Sequence, residues 1–245
     1  VQRMTTWLAE CQPLLAKCYE FLIAPLGISP TTSRLLIAPC DPLYMLPFAA
    51  FWNGQKYLVE NYLIELIPSG ALLVAPPPDA PSSTPPLLIA VSAGCKLQST
   101  HTEVQAIQRL FPDSTCLCDE PATLNHLFNL SAAPRFLHIA AHTIIHKATP
   151  LFSALQLTDT FLSVEQCYEL PLRGTEFIAL SGCTTAAGQE SGGALLAFQS
   201  AFFAAGAKRI LSTLWPVSDE VTATWMGLFY RSLGAGLAPA VALRQ

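Results

Sequence analysis

The stretch "PLLIAVSAGCKLQSTHTEVQAIQRLFPDSTCLCDE", residues 86–120, decides the fold. It opens on a short apolar run, PLLIAVSA, passes into THTEVQAIQRLF, and closes on a second short run, STCLCD. The two runs read as strands and the segment between them as a helix. A strand, a helix and a strand in that order make a parallel pair, because the chain must cross over before it can run in the same direction again. The same rhythm continues downstream. ATLNHLFNLSA (122–132) reads as helix, PRFLHIAAH (134–142) as strand, SVEQCYEL (163–170) as a short helix and TEFIALSGC (175–183) as strand. GGALLAFQSAFFAAGA (192–207) follows as helix, KRILSTLW (208–215) as strand and SDEVTATWMGLFYRSL (218–233) as helix. The expected fold class is α/β, with a mostly parallel central sheet and helices on both of its faces.

Upstream the pattern differs. TTWLAECQPLLAKCYEFLIAPL carries apolar residues at helical spacing and predicts a helix ending near Pro25, so residues 1–25 read as the helical tail of an upstream region. RLLIAPC reads as a strand, and Asn53-Gly54 between two strand-like runs predicts an early β-hairpin within residues 26–74. The proline-dense stretch APPPDAPSSTPP, residues 75–86, reads as a linker, leaving 87–245 as the part expected to hold the chemistry.

Composition narrows the function classes. Hydrophobic residues make up 51% of the chain and charged residues only 12%, so much of the surface is expected to meet core or partner rather than water. A net charge of −4, with no basic cluster interleaved with aromatics, argues against direct nucleic-acid binding. No apolar run reaches the roughly 20 residues of a membrane span. The 8 cysteines are too dispersed for a secreted disulfide scaffold, and a reducing, cytoplasmic setting is the simpler reading. Cys116 and Cys118 have C-x-C spacing with His126 downstream, but no second pair completes a zinc site, and no metal or other cofactor is expected.

In a parallel sheet the reacting groups gather at the carboxyl ends of the strands. Two strands end in reactive side chains: PRFLHIAAH at His142 and TEFIALSGC at Cys183. If those strands are neighbours, imidazole and thiol meet at one edge. A nearby imidazole raises the fraction of thiolate, which is the nucleophile, and backbone N–H groups around the two strand ends would stabilise an oxyanion. The chemistry implied is acyl transfer. Against this stands the ordinary use of free cysteine as a small buried apolar residue. His138 reads as a structural histidine, and Ser181 and Ser191 lie in no G-x-S-x-G elbow.

These residues, with their neighbours, resemble a CHAT domain, the caspase-like and separase-related cysteine peptidase domain usually found behind tetratricopeptide repeats. The resemblance is carried by ordered blocks: LLIAPCDPLYMLPFAAFWNGQKYLVENYLIELIPSGALL, FLHIAAHT, IALSGCTTAAG and AFQSAFFAAGAKRILSTLWPVSDEVTATWMGLFYRSL. It implies a caspase-like sandwich, a catalytic dyad of His142 and Cys183, and oxyanion donors around Thr143 and Gly182. It also implies a protein or peptide substrate and activation through an attached repeat region or a partner protein. The family usually has glycine where Thr143 stands and alanine where Gly182 stands. Asp159, in LQLTDT, would orient the imidazole or line a pocket, with a turn aspartate as the alternative. Asp219 would cap a helix or belong to an acidic specificity pocket, and Asp41 poses the same choice. The rival expectation is a caspase-like interaction module with little or no turnover.

Overall fold

The computed structural model describes residues 2–40, 42–73, 80–91, 98–146, 148–181, 192–214, 217 and 219–245. The chain forms two compact units, residues 1–75 with 240–245 and residues 76–239.

The first unit opens with α1 (Gln2–Leu22), which carries Pro13 in its interior and gives way to a single 3-10 turn closed by Gly27 in the left-handed region. Strands β1 (Arg34–Ile37) and β2 (Leu63–Leu66) pair in parallel, Arg34 opposite Leu63 and Ile37 opposite Leu66. Between them lies α2 (Leu58–Asn61). The core here is Ile23, Phe48, Phe51 and Leu58, with Cys18, Leu35, Ile37 and Ile64 packed against it. The turn expected at Asn53-Gly54 is present. The Asn53 carboxamide oxygen accepts from the N–H groups of Gln55 and Lys56, and Gly54 takes a φ of 96°. Its flanks differ from the expectation of a ribbon, since the hairpin is one antiparallel bridge, Trp52 to Tyr57. Phe48–Ala50 coils into a 3-10 turn after Pro47, and the Glu60 carboxylate accepts the Tyr57 N–H at 2.7 Å, starting α2 where a second strand was expected.

The second unit is built on β3 (Leu87–Ala90), α3 (Gln98–Leu110), β4 (Thr115–Cys118), α4 (Leu124–Phe128) and β5 (Phe136–Ala140). Next come β6 (Thr143–Ile144), β7 (Ala154–Gln156), β8 (Phe161–Ser163), α5 (Val164–Cys167) and β9 (Phe177–Ser181). The unit closes with α6 (Gly192–Ala204), β10 (Ile210–Leu211) and α7 (Asp219–Gly234), and α8 (Pro239–Arg244) follows. The order β10-β9-β5-β3-β4 makes a five-stranded, wholly parallel sheet.

Alternation along the inner strands sends successive side chains to opposite faces. Leu87, Ile89, Leu137, Ile139 and Ile178 meet Phe198 and Phe202 of α6, Leu127 of α4 and Cys167 of α5 in one apolar cluster. The opposite face carries Phe136, His138 and Phe177, packed against Phe111 after α3 and against Phe229 and Tyr230 of α7. Both faces being covered, the inner strands are continuous apolar runs rather than alternating ones. The fold class is the expected α/β, and the central sheet with its covering helices is consistent with a caspase-like architecture. A separate antiparallel sheet, β6-β7-β8, follows β5 and was not anticipated. Its strands are two or three residues long, too short for a period to show.

Candidate active site

The candidate site begins at the carboxyl end of β5. This strand sits between β3 and β9, and Phe136 through Ala140 are buried. The chain leaves the sheet after Ala140, and Ala141 and the partly buried His142 follow at once. The His142 carbonyl accepts the N–H of Gln156 at 2.8 Å, so its backbone is tied to the end of β7.

Thr143 starts β6 opposite Leu155 and is buried. A β-branched residue suits that extended position. Because the Gln156 N–H bonds the residue before Thr143, Thr143 and Leu155 form a non-hydrogen-bonded pair. The Thr143 amide therefore points to the side of β6 away from β7.

β5 and β9 are adjacent and in register, Phe136 opposite Phe177 and Ala140 opposite Ser181. The condition set by the sequence reading, that the strands ending at His142 and Cys183 be neighbours, is met by β5 and β9. His142 and Cys183 each stand two residues beyond the last paired positions. Gly182, Cys183 and Asp41 lie outside the described residues.

Asp159 is exposed in the β7–β8 turn, and its carboxylate accepts the Leu124 N–H at 3.2 Å. That is the first amide of α4, where a negative charge complements the helix dipole. Asp219 is the first residue of α7. Cys116 and Cys118 share one side of β4, their sulfurs 3.3 Å apart, while Cys167 is buried on α5. Among the described residues no group of three or more His, Cys, Asp or Glu side chains is gathered as metal ligands would be.

His138, four positions before His142, is fully buried, with Nδ1 2.9 Å from the Tyr230 hydroxyl and Nε2 3.3 Å from Glu103 Oε1. Its reading as a structural histidine agrees with this placement. The sequence reading missed its partners. Glu103 lies on α3, and its other carboxylate oxygen accepts the Ser181 hydroxyl at 2.9 Å. Burial and the charge of Glu103 push the Tyr230 phenol well above its ordinary pKa, so it keeps its proton. The one available signal was a glutamate on the apolar side of a helix, adjacent to Val104.

A family model, the CHAT domain, matches residues 12–245. No curated protein matches the chain.

Proposed function

The chain belongs to the CHAT domain family, whose members are related to caspase-like cysteine peptidases, and on that premise we propose that it is a cysteine endopeptidase acting through His142 and Cys183. The observation that carries this reading is the in-register adjacency of β5 and β9, whose sequences run on to the histidine and the cysteine.

His142 takes the thiol proton, and the Cys183 sulfur attacks the carbonyl carbon of the scissile peptide bond. The developing oxyanion accepts hydrogen bonds from backbone amides of the Thr143 and Gly182–Cys183 segments. His142 then returns the proton to the leaving amine. A thioester remains, and a water deprotonated by His142 hydrolyses it to the free acid and thiol. No third catalytic side chain is required. CHAT domains are usually attached to tetratricopeptide repeats, and engagement of such a repeat region or of a partner protein is the proposed means of switching the domain on. Asp159 and Asp219 remain candidates for lining the substrate cleft.

The test is to expose the purified protein, alone and with its copurifying partners, to a proteome-derived peptide library and to a panel of peptidyl acyloxymethyl ketones. The expected result is cleavage and covalent labelling at Cys183, both lost in Cys183→Ala and in His142→Ala while circular dichroism is unchanged. Cleavage that survives Cys183→Ala would overturn the proposal. So would the absence of both cleavage and labelling together with intact biological activity of Cys183→Ala, which is the behaviour of an interaction module.

A further inference from the structure

The polar chain beneath the site does nothing in the mechanism above, yet it is placed where an apolar core would be less costly. Glu103 is 5% exposed and His138 is 0% exposed, among Phe136, Phe177 and Tyr230. Burying a carboxylate costs several kcal/mol unless donors surround it, and apolar replacements of buried charged groups are often neutral or stabilising. A carboxylate at such a place calls for a reason other than stability.

The contacts define what the chain does. The Tyr230 hydroxyl and His138 Nδ1 share a hydrogen bond at 2.9 Å. His138 Nε2, on the other side of the ring, faces Glu103 Oε1 at 3.3 Å. That contact lies outside hydrogen-bond alignment. Ser181 is aligned with the carboxylate, its hydroxyl donating to Oε2 at 2.9 Å.

The location of the partners supplies the reason. Ser181 is the last residue of β9 and stands opposite Ala140 of β5, two positions before Cys183. His138 is on β5, four positions before His142. One buried carboxylate on α3 thus meets a side chain from each of the two strands whose sequences run on to the catalytic pair.

We propose that Glu103 is a positioning residue for the peptidase reaction: by holding Ser181 and facing His138 it fixes the end of β9 against β5, and so sets the point from which the chain runs on to Cys183. The proposal rests on the peptidase reading. Loss of the Ser181 bond leaves the strand ladder intact but releases the final side chain of β9, so the effect falls on the reacting geometry rather than on substrate affinity. A misplacement of about 1 Å is enough to cost on the order of 100-fold in rate.

Steady-state kinetics of the full protein test this with Ser181→Ala, Glu103→Met, which keeps the length of the side chain but has no acceptor for the Ser181 hydroxyl, the double variant and the conservative Ser181→Thr. Ser181→Ala and Glu103→Met are each expected to lower kcat by at least about 10-fold with KM within about 3-fold, since only transition-state geometry is affected. The double variant is expected to fall no further than the worse single one, because both remove the same link. Ser181→Thr, which keeps the hydroxyl, is expected to recover kcat to within about 3-fold of wild type. A wild-type enzyme that turns over while Ser181→Ala and Glu103→Met keep its kcat overturns the positioning role alone. A loss that follows the folded fraction on thermal melting, or that appears in KM, also overturns it. A wild-type protein that neither cleaves nor labels at Cys183 overturns the peptidase reading instead, and the positioning role with it.

Discussion

The Cys167 thiol, buried on α5, is pushed far above its ordinary pKa by the loss of water around it. Cys116 on β4 is pushed up to about 12, first by burial and then by the hydrogen bond and charge of Cys118. The thiolate is the reactive form, so neither group is a nucleophile near neutral pH. Brief treatment of the folded protein with iodoacetamide at pH 7.5 is expected to modify the exposed Cys40 and to spare Cys116 and Cys167, which react only after unfolding, as read by peptide mass spectrometry. The same shifts carry a sign for stability. The folded pKa lies above the unfolded one, so the stabilising contribution is complete below about pH 8.5 and is lost as pH climbs through the alkaline range. Urea midpoints are expected to fall between about pH 9 and pH 12 and to change little from these groups below that. At Thr143 the amide rather than the side chain matters for the proposed reaction. Proline there removes an N–H that β6 does not spend on β7, so Thr143→Pro is expected to lower kcat by about 10²- to 10³-fold with only a small change in melting temperature. Thr143→Gly, which keeps the amide, is expected to retain turnover.

Among the elements of the second unit, the turn that ends α6 depends on one residue, Gly206. Helix α6 stops in a Schellman arrangement, the Ala207 N–H bonding the Phe202 carbonyl and the Gly206 N–H bonding that of Phe203, both at 3.0 Å. Gly206 takes a φ of 107°, and a Cβ there would come within 2.7 Å of Arg173 Cα. Both the left-handed backbone and the close approach require glycine. Gly206→Ala is expected to cost about 2 kcal/mol or more, measured as a shift of the urea midpoint at constant slope. The short elements around the site were harder to foresee. Val164–Cys167 was recognisable as a helix because Ser163 and Gln166 form a capping box. The strands of β6-β7-β8 left no such mark, although they hold the backbone of His142.

For the second unit as a whole, the sheet is held between two dissimilar layers, aliphatic side chains and α6 on one face, aromatic rings and α7 on the other. Phe136 ties the aromatic layer together. Its ring stacks on Phe177 at 4.8 Å and meets Phe111 edge-on at 5.1 Å, with Tyr230 at 5.5 Å. Phe136→Ala leaves a cavity between β5, β9 and α7, and is expected to cost about 3–5 kcal/mol. Scanning calorimetry should show the transition of this unit lowered by roughly 6–20 °C, at about 2–4 °C per kcal/mol for a domain of this size.

The amino-acid order alone determined the parallel α/β class, the strand that runs on to His142 and the family blocks around it. These are local signals, since apolar runs, helical spacing and turn residues act over a few neighbours and can be read where they stand. Which strands are adjacent, and therefore whether a histidine and a cysteine 41 positions apart belong to one edge, was decided by tertiary pairing of β5 with β9. The early parallel pair is of the same kind, because β1 and β2 meet across an intervening helix and the local hairpin signal between them closes only one bridge. The meeting of Glu103 with Ser181, 78 positions away, could not be read from either neighbourhood, where the one signal was a glutamate on the apolar side of a helix. A buried carboxylate is satisfied by whatever donors the packed elements bring to it, and that is settled only when α3, β5, β9 and α7 close on one another.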